Sequence, residues 1–504
     1  MSYHRIFQTL RCSLLPKILH KDFYTKLLLL FIIFQPVLDI LTFLSIRWTD
    51  SSLTIGIVVR VLFMALSLWF ILFGNSSRYK KPIILYLAAL AAAFGFGLVY
   101  NYFAKPIFDP FTELQFVAKT AYFSIMLGSY LLLFTTIEKV STVRLRILQA
   151  ISAAMLIVSI SLLVAILTGT STETYEWNKF GYKGWFFAGN ELGSIVSISF
   201  PLVYLYALYK IESLKNSYLF IPVVLLAIVS ILIGTKVPYF AVLMAAVIVF
   251  FSYLIYWLIQ WKKKQKGSLL TLRLVLSFCF LLLFAAVSPF SPAFSNVAGD
   301  IGAIEEKTAE QEEKDKPSDT GDQDPGDKES EGSSDSDQAK QEEEQAKLMD
   351  SPILVILLSA RNLYFAELYQ DYTNADIVQK TFGMGYAGNY TDMEDRKLIE
   401  MDFFDLFFSY GILGFTLILL PFLFIIGLFV KLLFQVPGRL LHPENLLILL
   451  SIGFGTGIAF IAGHVLYAPA VSIYLAVAMS LLIINMLKMQ NDHREAKQLA
   501  SSSK

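Results

Sequence analysis

The sequence predicts an all-α polytopic membrane protein with about twelve transmembrane helices and one large extracytoplasmic loop. Of its 504 residues, 56% are hydrophobic and only 16% are charged, a balance that soluble proteins of this length rarely reach. The apolar residues form long unbroken runs, which favours helices over a membrane β-barrel. Lysine and arginine also cluster in alternate loops, as they do on the cytoplasmic side of multi-pass proteins.

Twelve apolar runs of roughly 16–28 residues are long enough to cross a bilayer. They are approximately 27–46, 53–74, 82–103, 113–136, 146–168, 187–209, 217–233, 237–260, 269–290, 403–430, 446–463 and 467–487. The first run lacks a small-residue cleavage pattern, so it predicts a retained helix rather than a signal peptide. Two divisions depend on short breaks, one at Gly234-Thr235-Lys236 and one between His464 and Pro469.

The orientation follows from the basic residues that flank spans 1, 2, 4, 8 and 12, because twelve spans place all of them on one side. They are Arg5, Arg11, Lys17, Lys21, Lys26, Arg78, Lys80, Lys81, Lys139, Arg144, Arg146, Lys262, Lys263, Lys264, Lys266, Lys488, Arg494 and Lys497. The opposite loops hold isolated positive charges such as Arg47 and Lys105. The positive side is predicted to be the cytoplasm, with both termini there.

The chain divides into four predicted parts. Residues 1–290 form a bundle of nine spans, 291–402 the extracytoplasmic loop, 403–487 three further spans, and 488–504 a cytoplasmic tail. Within the loop, residues 305–350 hold 18 acidic and 6 basic side chains, and the segment 305–347 is predicted to be disordered. It is either a tolerated insertion or a recruiter of cations or of a basic partner. Residues 351–368 predict a helix that lies at the outer membrane surface or dips into it.

Charged residues inside the spans gather in the outer half of the membrane. Asp39 lies roughly 18 Å from the inner boundary and Arg60 roughly 10 Å from the outer one, at about 1.5 Å per residue, so both fall at nearly the same depth. They form either a structural ion pair or a site at which Arg60 holds an anionic headgroup. Lys119 also lies in the outer half, and His464 lies at an outer break.

Several classes of function are excluded by what the sequence lacks. It contains no Walker loop, no GxGxxG motif that opens a helix, no HExxH and no CxxC, which argues against ATP-driven transport and chemistry on nucleotide sugars. Cys12 and Cys279 stand in unrelated segments, so neither a disulfide framework nor a metal site is predicted. No cofactor and no nucleic-acid partner is expected.

Six sequence elements, taken in order, resemble those of the O-antigen ligase and O-antigen polymerase family. The segment 184–193, GWFFAGNELG, is similar to the family's G-x-F-x-x-x-N-x-L-G element, and Gly234-Thr235-Lys236 resembles its Ser/Thr-Arg turn. In the large loop, Arg361, the GMGY turn at 383–386, the polar segment 400–402 and the YGILGF segment at 410–415 follow the family's order. The resemblance covers roughly 180–260 and 355–470.

The resemblance implies a bacterial plasma-membrane enzyme that joins or polymerises glycans at the outer face. Members are metal-independent inverting glycosyltransferases; the implied partners are a polyprenyl-pyrophosphate-linked glycan donor, a glycan or glycolipid acceptor, and membrane lipid. Lys183 and Lys236 stand near positions where ligases have arginine, and Arg361 matches the loop arginine. Ligases have histidine where this chain has Glu400 and Asp402, which argues for a polymerase, or for a ligase of a teichuronic-acid-type polymer.

The residue types fit such a reaction. Cations near a departing pyrophosphate stabilise its charge, and Arg361 can make paired contacts; Lys183, Lys236, Arg60, Asn190 and His464 are further candidates for substrate binding. A carboxylate suits the role of base, and Glu400 is preferred because Asp402 could instead cap a helix.

His464 is a candidate either for the base or for a hydrogen bond at its turn. The alternative function is a transporter or flippase of a lipid-linked sugar. That function predicts related sequence halves and polar groups at the midplane. The halves show no repeat, and the polar groups gather outside.

Overall fold

The computed structural model describes residues 21–49, 54–136, 140–175, 179–264, 267–302, 361–393 and 396–502. The acidic insert at 305–347, the first part of the predicted surface helix and the N-terminal residues 1–20 lie outside these ranges. Within them, twelve helices are long and apolar enough to cross a membrane. The prediction of an all-α polytopic membrane protein is therefore confirmed.

The long helices are numbered in chain order together with the shorter ones. They are α1 (Lys21–Thr49), α2 (Ile55–Phe73), α3 (Lys80–Ala104), α4 (Pro110–Thr136), α5 (Val140–Leu167), α6 (Gly189–Lys210), α7 (Ile221–Leu232), α8 (Lys236–Lys262), α9 (Ser268–Val287), α12 (Asp402–Gln435), α14 (Pro443–Ile461) and α15 (Pro469–Ser502). The short helices are α10 (Arg361–Asn374), α11 (Ile377–Phe382) and α13 (Pro437–Leu440). Strands β1 (Thr172–Glu173) and β2 (Tyr182–Gly184) pair antiparallel between α5 and α6.

Several helix boundaries follow directly from local chemistry. Pro110, Pro443 and Pro469 each open a long helix, where the missing N–H of proline is not needed and its fixed φ fits the helix. Thr54 caps α2, because its side chain accepts a hydrogen bond from the Ile57 N–H group,. The predicted break between spans 11 and 12 therefore ends where Pro469 begins α15.

Helix α6 and the first part of α15, residues 469–487, form the centre of the bundle and are almost entirely buried. Helix α15 packs against α4 and α6, while α5 and α14 pack on other sides of α6. Buried small polar residues line these contacts; Ser451 Oγ on α14, for example, donates to the Ile198 carbonyl on α6 at 2.6 Å. Small residues of this kind let membrane helices approach closely and hydrogen-bond across their interface.

One end of the bundle collects the candidate site and is called the loop face. It is the end at which α9 finishes and α12 begins, so that the long segment 291–402 joins the bundle there. Because successive spans run in opposite directions, the connections 105–109, 168–188, 233–235 and 462–468 also lie at the loop face. The basic loops identified in the sequence lie at the opposite end.

Two glycines fasten the large loop to α12. Gly411 adopts φ 62° and ψ −172° inside α12 and interrupts its helical hydrogen bonding. The carbonyl groups of Phe408 and Ser409 instead accept from the N–H groups of Met384 and Gly385, at 2.9 and 3.1 Å. A Cβ atom on Gly411 would lie 2.5 Å from the Gly383 nitrogen. The GMGY turn and the YGILGF segment are therefore in direct backbone contact.

Candidate active site

Arg361, Glu400 and His464 come together at the loop face and are called the Glu400 cluster. Arg361 begins α10, Glu400 lies just before α12, and His464 lies in the connection between α14 and α15. The Glu400 Oε2 atom is 3.2 Å from Arg361 Nη2 and 3.7 Å from His464 Nε2. The Glu400 side chain is 41% exposed, so it can contact a substrate directly.

The backbone of this cluster is held in an unusual conformation. Glu400 has φ 64° and His464 has φ 59°, although residues other than glycine rarely adopt the left-handed region. The two turns also touch, because a Cβ atom on Gly463 would collide with the Glu400 carbonyl oxygen. Such strain costs about 1–3 kcal/mol per residue and concentrates at functional sites. The observation therefore supports a functional role for Glu400 and His464.

Two buried carboxylates bind the backbone next to Glu400 and His464. Asp402 Oδ2 accepts hydrogen bonds from the backbone N–H groups of Val465 and Leu466, at 2.8 and 2.5 Å. Asp405 accepts from the N–H groups that flank Glu400, those of residues 399 and 401, at 2.8 and 3.1 Å, and from the Tyr467 hydroxyl at 3.0 Å. Both carboxylates are buried. Asp402, the alternative candidate base, thus binds the neighbouring connection in this structure, and Glu400 is the exposed carboxylate of the two.

The charges in the cluster reinforce one another. The facing His464 imidazole, and to a smaller extent Arg361, hold the pKa of Glu400 below its usual 4.5 despite partial burial. Burial alone would lower the pKa of His464, but Glu400, Glu191 and Asp402 together raise it above 6.5. Each partner therefore favours the charged form of the other.

An apolar groove adjoins the Glu400 cluster. It has a volume of about 570 Å³ and is formed by one face of α10, the first turns of α12 and the end of α14. Arg361, Phe365, Tyr369 and Tyr372 follow each other at helical spacing on α10, so Arg361 continues the aromatic stripe that lines the groove. The groove therefore has a cationic end, beside Glu400, and an apolar body.

Arg60 lies in a second place, a cavity between helices α1, α2, α4, α6 and α15 that is called the interhelical cavity. Its volume is about 320 Å³. Of the two alternatives left open by their equal depth, the ion pair between Arg60 and Asp39 is present, and Arg60 Nε also donates to Gln35 Oε1 at 3.1 Å. A role for Arg60 in substrate binding stays a prediction. Lys119 and Glu191 line the same cavity. Glu191 was not selected from the sequence, although an acid inside a membrane span is itself a signal of function.

Lys236 belongs to a third group of charges. Its ammonium and that of Lys179 each lie 2.8 Å from the Asp300 carboxylate. Burial opposes ionisation of Asp300, but the two lysines outweigh it and lower the pKa of the carboxyl group. The role of Lys236 in substrate binding stays a prediction. Asp300 could not be found from the sequence, because nothing distinguishes it from the many acids that follow it.

The two remaining predicted binding residues are also at the loop face. Lys183 is half-buried on β2, and Asn190 is exposed in the first turn of α6. Neither side chain makes a hydrogen bond or ion pair within the described part of the chain, and so neither is joined to Arg361, Glu400 or His464. Their roles in binding likewise stay predictions.

A buried ion pair that the sequence analysis did not select supports the GMGY turn. Lys105 Nζ lies 2.6 Å from Glu113 Oε1 and also donates to the Tyr386 carbonyl oxygen at 2.9 Å. Glu113 Oε2 accepts from the Tyr386 N–H group at 2.9 Å. Lys105 stood out in the sequence only as an isolated positive charge in a loop. In the structure it anchors the segment that leads to Glu400.

The described residues contain no group of three His, Cys, Asp or Glu side chains that could hold a metal ion. No individual curated protein matches the chain. The family model for O-antigen ligase like membrane proteins, however, matches residues 21–489, which is nearly the whole chain. The protein therefore belongs to the O-antigen ligase-like family of membrane proteins, whose activity is glycosyl transfer in the ligation or polymerisation of membrane-linked polysaccharide.

Proposed function

We propose that this protein transfers or polymerises polyprenyl-pyrophosphate-linked oligosaccharide units at the outer face of the bacterial plasma membrane, for cell-surface polysaccharide synthesis. The observation that carries the proposal is the Glu400 cluster, in which an exposed carboxylate lies between two cations at the membrane boundary. A glycosyl transfer with a pyrophosphate leaving group needs both kinds of charge: a base for the acceptor and cations for the departing lipid.

In the proposed reaction, Glu400 accepts the proton of an acceptor sugar hydroxyl as that oxygen attacks the anomeric carbon of the donor. A new glycosidic C–O bond forms and the C–O bond to the pyrophosphate breaks. The bonding electrons leave with the polyprenyl pyrophosphate, and attack from the opposite side inverts the anomeric carbon. Arg361 and protonated His464 stabilise the charge on the leaving group. No metal ion takes part.

The groove beside Arg361 fits the lipid part of this donor. The distal phosphate of the leaving pyrophosphate carries the polyprenyl chain, so the chain must begin near the cations that bind the pyrophosphate. The groove meets this requirement, because the aromatic residues that line it follow Arg361 along one face of α10, as far as Tyr372. Its lining is almost wholly apolar, which suits burial of a hydrocarbon chain. We assign the groove to the polyprenyl chain of the donor.

Transfer by the purified full-length protein tests the proposed function. The protein in lipid nanodiscs, given lipid-linked oligosaccharide extracted from a strain that lacks its gene, should lengthen or transfer the glycan. Arg361→Ala should lower the rate by about 100-fold or more, as loss of a group that stabilises transition-state charge does. The matched control is Arg439→Ala, which removes an exposed arginine paired with Asp492 and should leave the rate unchanged. Normal transfer by Arg361→Ala would contradict the proposal and favour a transporter.

The proposed location has its own test. Single cysteines replace Ser333, in the acidic insert, and Ser502, in the tail, in a chain whose Cys12 and Cys279 are changed to serine. If both termini are cytoplasmic, a membrane-impermeant thiol reagent added to intact cells labels the residue at 333 and not the one at 502. The reverse pattern would overturn the orientation.

A further inference from the structure

The interhelical cavity is lined by charged side chains whose polar atoms are not all hydrogen-bonded within the described residues. Within the described residues, the side chains of Lys119 and Glu191 make no hydrogen bond or ion pair, and the buried Asp39 Oδ2 atom has no hydrogen-bond partner. Such groups inside a membrane protein are normally paired, because leaving them unpaired is costly. Two such side chains and one carboxylate oxygen around one cavity indicate a site built for a polar ligand.

The charges around this cavity balance. Arg60 and Lys119 contribute two positive charges, while Asp39 and Glu191 contribute two negative ones. A phosphate group would therefore be repelled by the two carboxylates as well as attracted by the two cations, and its net binding energy would be small. A neutral ligand with several hydroxyl groups suits the same lining, because its hydroxyls can donate to carboxylates and accept from lysine or arginine.

The rest of the cavity wall is apolar and aromatic. Tyr122, Phe186 and Phe187 line it, and the Phe187 ring is 56% exposed. Flat aromatic rings can pack against the C–H face of a sugar while the polar groups bind its edge. The volume of about 320 Å³ lies at the small end of the usual range for ligand sites, about 300–1,000 Å³.

The cavity also adjoins the Glu400 cluster. Pro469 and Ala470 form part of its wall, and they begin the helix that follows the connection carrying His464. The charge of Glu191, inside the cavity, acts on His464 and contributes to its raised pKa. A ligand in the cavity therefore lies beside the connection that carries His464, the partner of the proposed base Glu400.

We propose that the interhelical cavity is the acceptor subsite, and that it holds the neutral sugar residue whose hydroxyl attacks the donor. This inference rests on the proposed function, because it assigns one of the two substrates of that reaction. Asp39 and Glu191 accept hydrogen bonds from the sugar, Lys119 and Arg60 donate to it, and Phe187 covers its ring. The donor occupies the other side of the Glu400 cluster, where its chain lies in the aromatic groove.

Direct binding tests the inference without depending on turnover. The probe is the oligosaccharide repeat of the same organism's polysaccharide, labelled with a dye at its reducing end and titrated against the full-length protein in nanodiscs. Glu191→Gln and Lys119→Met should each weaken its binding by about tenfold or more, the usual effect of losing a hydrogen bond to a charged group. Inorganic pyrophosphate should not compete with the probe.

Two further variants keep the test interpretable. Arg144 and Glu444 form a half-buried ion pair 3.5 Å apart at the opposite end of the bundle, so Glu444→Gln is a matched loss of charge that should not alter binding. Phe187→Ala removes an exposed ring with little risk to folding and should weaken binding. Retained binding of the lipid-linked donor shows that each variant is folded.

The possible results separate the inference from the proposed function. If the protein transfers glycan but Glu191→Gln, Lys119→Met and Phe187→Ala all bind the probe like wild type, the acceptor lies elsewhere and the inference is wrong. Competition by pyrophosphate would also overturn it, because the cavity would then be an anion site. If the wild type transfers no glycan and Arg361→Ala changes nothing, the proposed function itself fails.

Discussion

Glu400 and His464 face each other from two left-handed turns, with 3.7 Å between Glu400 Oε2 and His464 Nε2. Neither residue is a glycine, so the surrounding structure must impose these conformations. Asp405 binds the backbone on both sides of Glu400, and Asp402 binds the two N–H groups that follow His464. The relative position of the carboxylate and the imidazole is therefore fixed by the fold, as a preorganised catalytic site requires.

The first prediction concerns the pH dependence of stability. Glu400 has a lowered pKa, so its contribution is present above about pH 4.5 and is lost as pH falls through the lowered value,. His464 has a raised pKa, so its contribution is present below about pH 6.5 and is lost as pH rises through the raised value. His464→Asn, which tolerates the left-handed turn, should therefore be destabilising mainly between about pH 4.5 and 6.5.

The expected decrease in the free energy of unfolding is small, about 0.5–1 kcal/mol, because the pair of Glu400 and His464 is partly exposed and screened by solvent. Thermal unfolding of both proteins in detergent at pH 5.5 and pH 9 measures it. The difference in melting temperature should shrink at pH 9. A difference that is the same at both pH values would mean that His464 contributes through packing rather than through its charge.

The second prediction concerns the backbone contact between Gly411 and Gly383. Gly411→Ala places a methyl group 2.5 Å from the Gly383 nitrogen, at a backbone conformation open essentially to glycine alone,. We expect the free energy of unfolding to fall by about 3 kcal/mol or more. Transfer activity should also fall markedly, because the GMGY turn can no longer pack against α12. Gly427 lies on the same helix with no atom within 4 Å of its added Cβ. Gly427→Ala should therefore be neutral or slightly stabilising.

The sequence predicted the features that depend on local or periodic patterns. The apolar runs predict the spans. The equal depth of Asp39 and Arg60 in the membrane allowed for the ion pair that the two residues form. It did not predict features that depend on residues distant in the chain. The contact between Gly383 and Gly411, and the sharing of Asp300 by two lysines, follow from how the loop docks. No pattern within either segment encodes its partner.

Asp402 shows the same limit at the level of one side chain. Its position before an apolar run is equally compatible with a base, a helix cap or another role. Only the approach of the 462–468 connection, which brings two N–H groups to its carboxylate, distinguishes them. The central position of α6 and α15 was also hidden, because their apolar runs resemble those of the peripheral helices.

The third prediction concerns the buried ion pair of Lys105 and Glu113. Glu113→Gln leaves Lys105 without its counter-charge, and removal of one partner of a buried pair costs about 3–5 kcal/mol. Burial already lowers the pKa of Lys105, so Lys105 can lose its proton in the variant. The loss of stability should therefore lie near the lower end of that range. The double variant Lys105→Met with Glu113→Gln should recover some stability. Additive losses in that double-mutant cycle would show that the two residues do not act together.

The fourth prediction concerns the acidic insert. Deletion of 308–345 should leave membrane abundance and transfer activity little changed, because that composition cannot bury enough apolar surface to fold. The segment lies outside the residues that the structure describes, so the prediction rests on the sequence. Loss of activity at normal abundance would favour the alternative, in which the insert recruits cations or a basic partner.

The last prediction separates the roles of Arg361 and Glu400. Glu400→Gln keeps the size of the side chain and most of its hydrogen bonding but cannot accept a proton, so transfer should fall by about 100-fold or more. Arg361→Ala should lower transfer to a similar extent, by weakening stabilisation of the pyrophosphate. Arg361→Lys should restore it only in part, because an ammonium lacks the paired contacts of a guanidinium.

Binding of the lipid-linked donor to the purified variants distinguishes these two causes. Arg361→Ala should bind the donor less well than wild type, whereas Glu400→Gln should bind it at least as well. The reason is that Glu400 forms an ion pair with Arg361 at 3.2 Å. A neutral glutamine at position 400 would leave the Arg361 guanidinium more available to bind a pyrophosphate. Near-normal turnover of Glu400→Gln, together with inactive Asp402→Asn or His464→Ala, would assign the base to one of those residues. The family membership would be unaffected, because it depends on the match across residues 21–489 and not on which group accepts the proton.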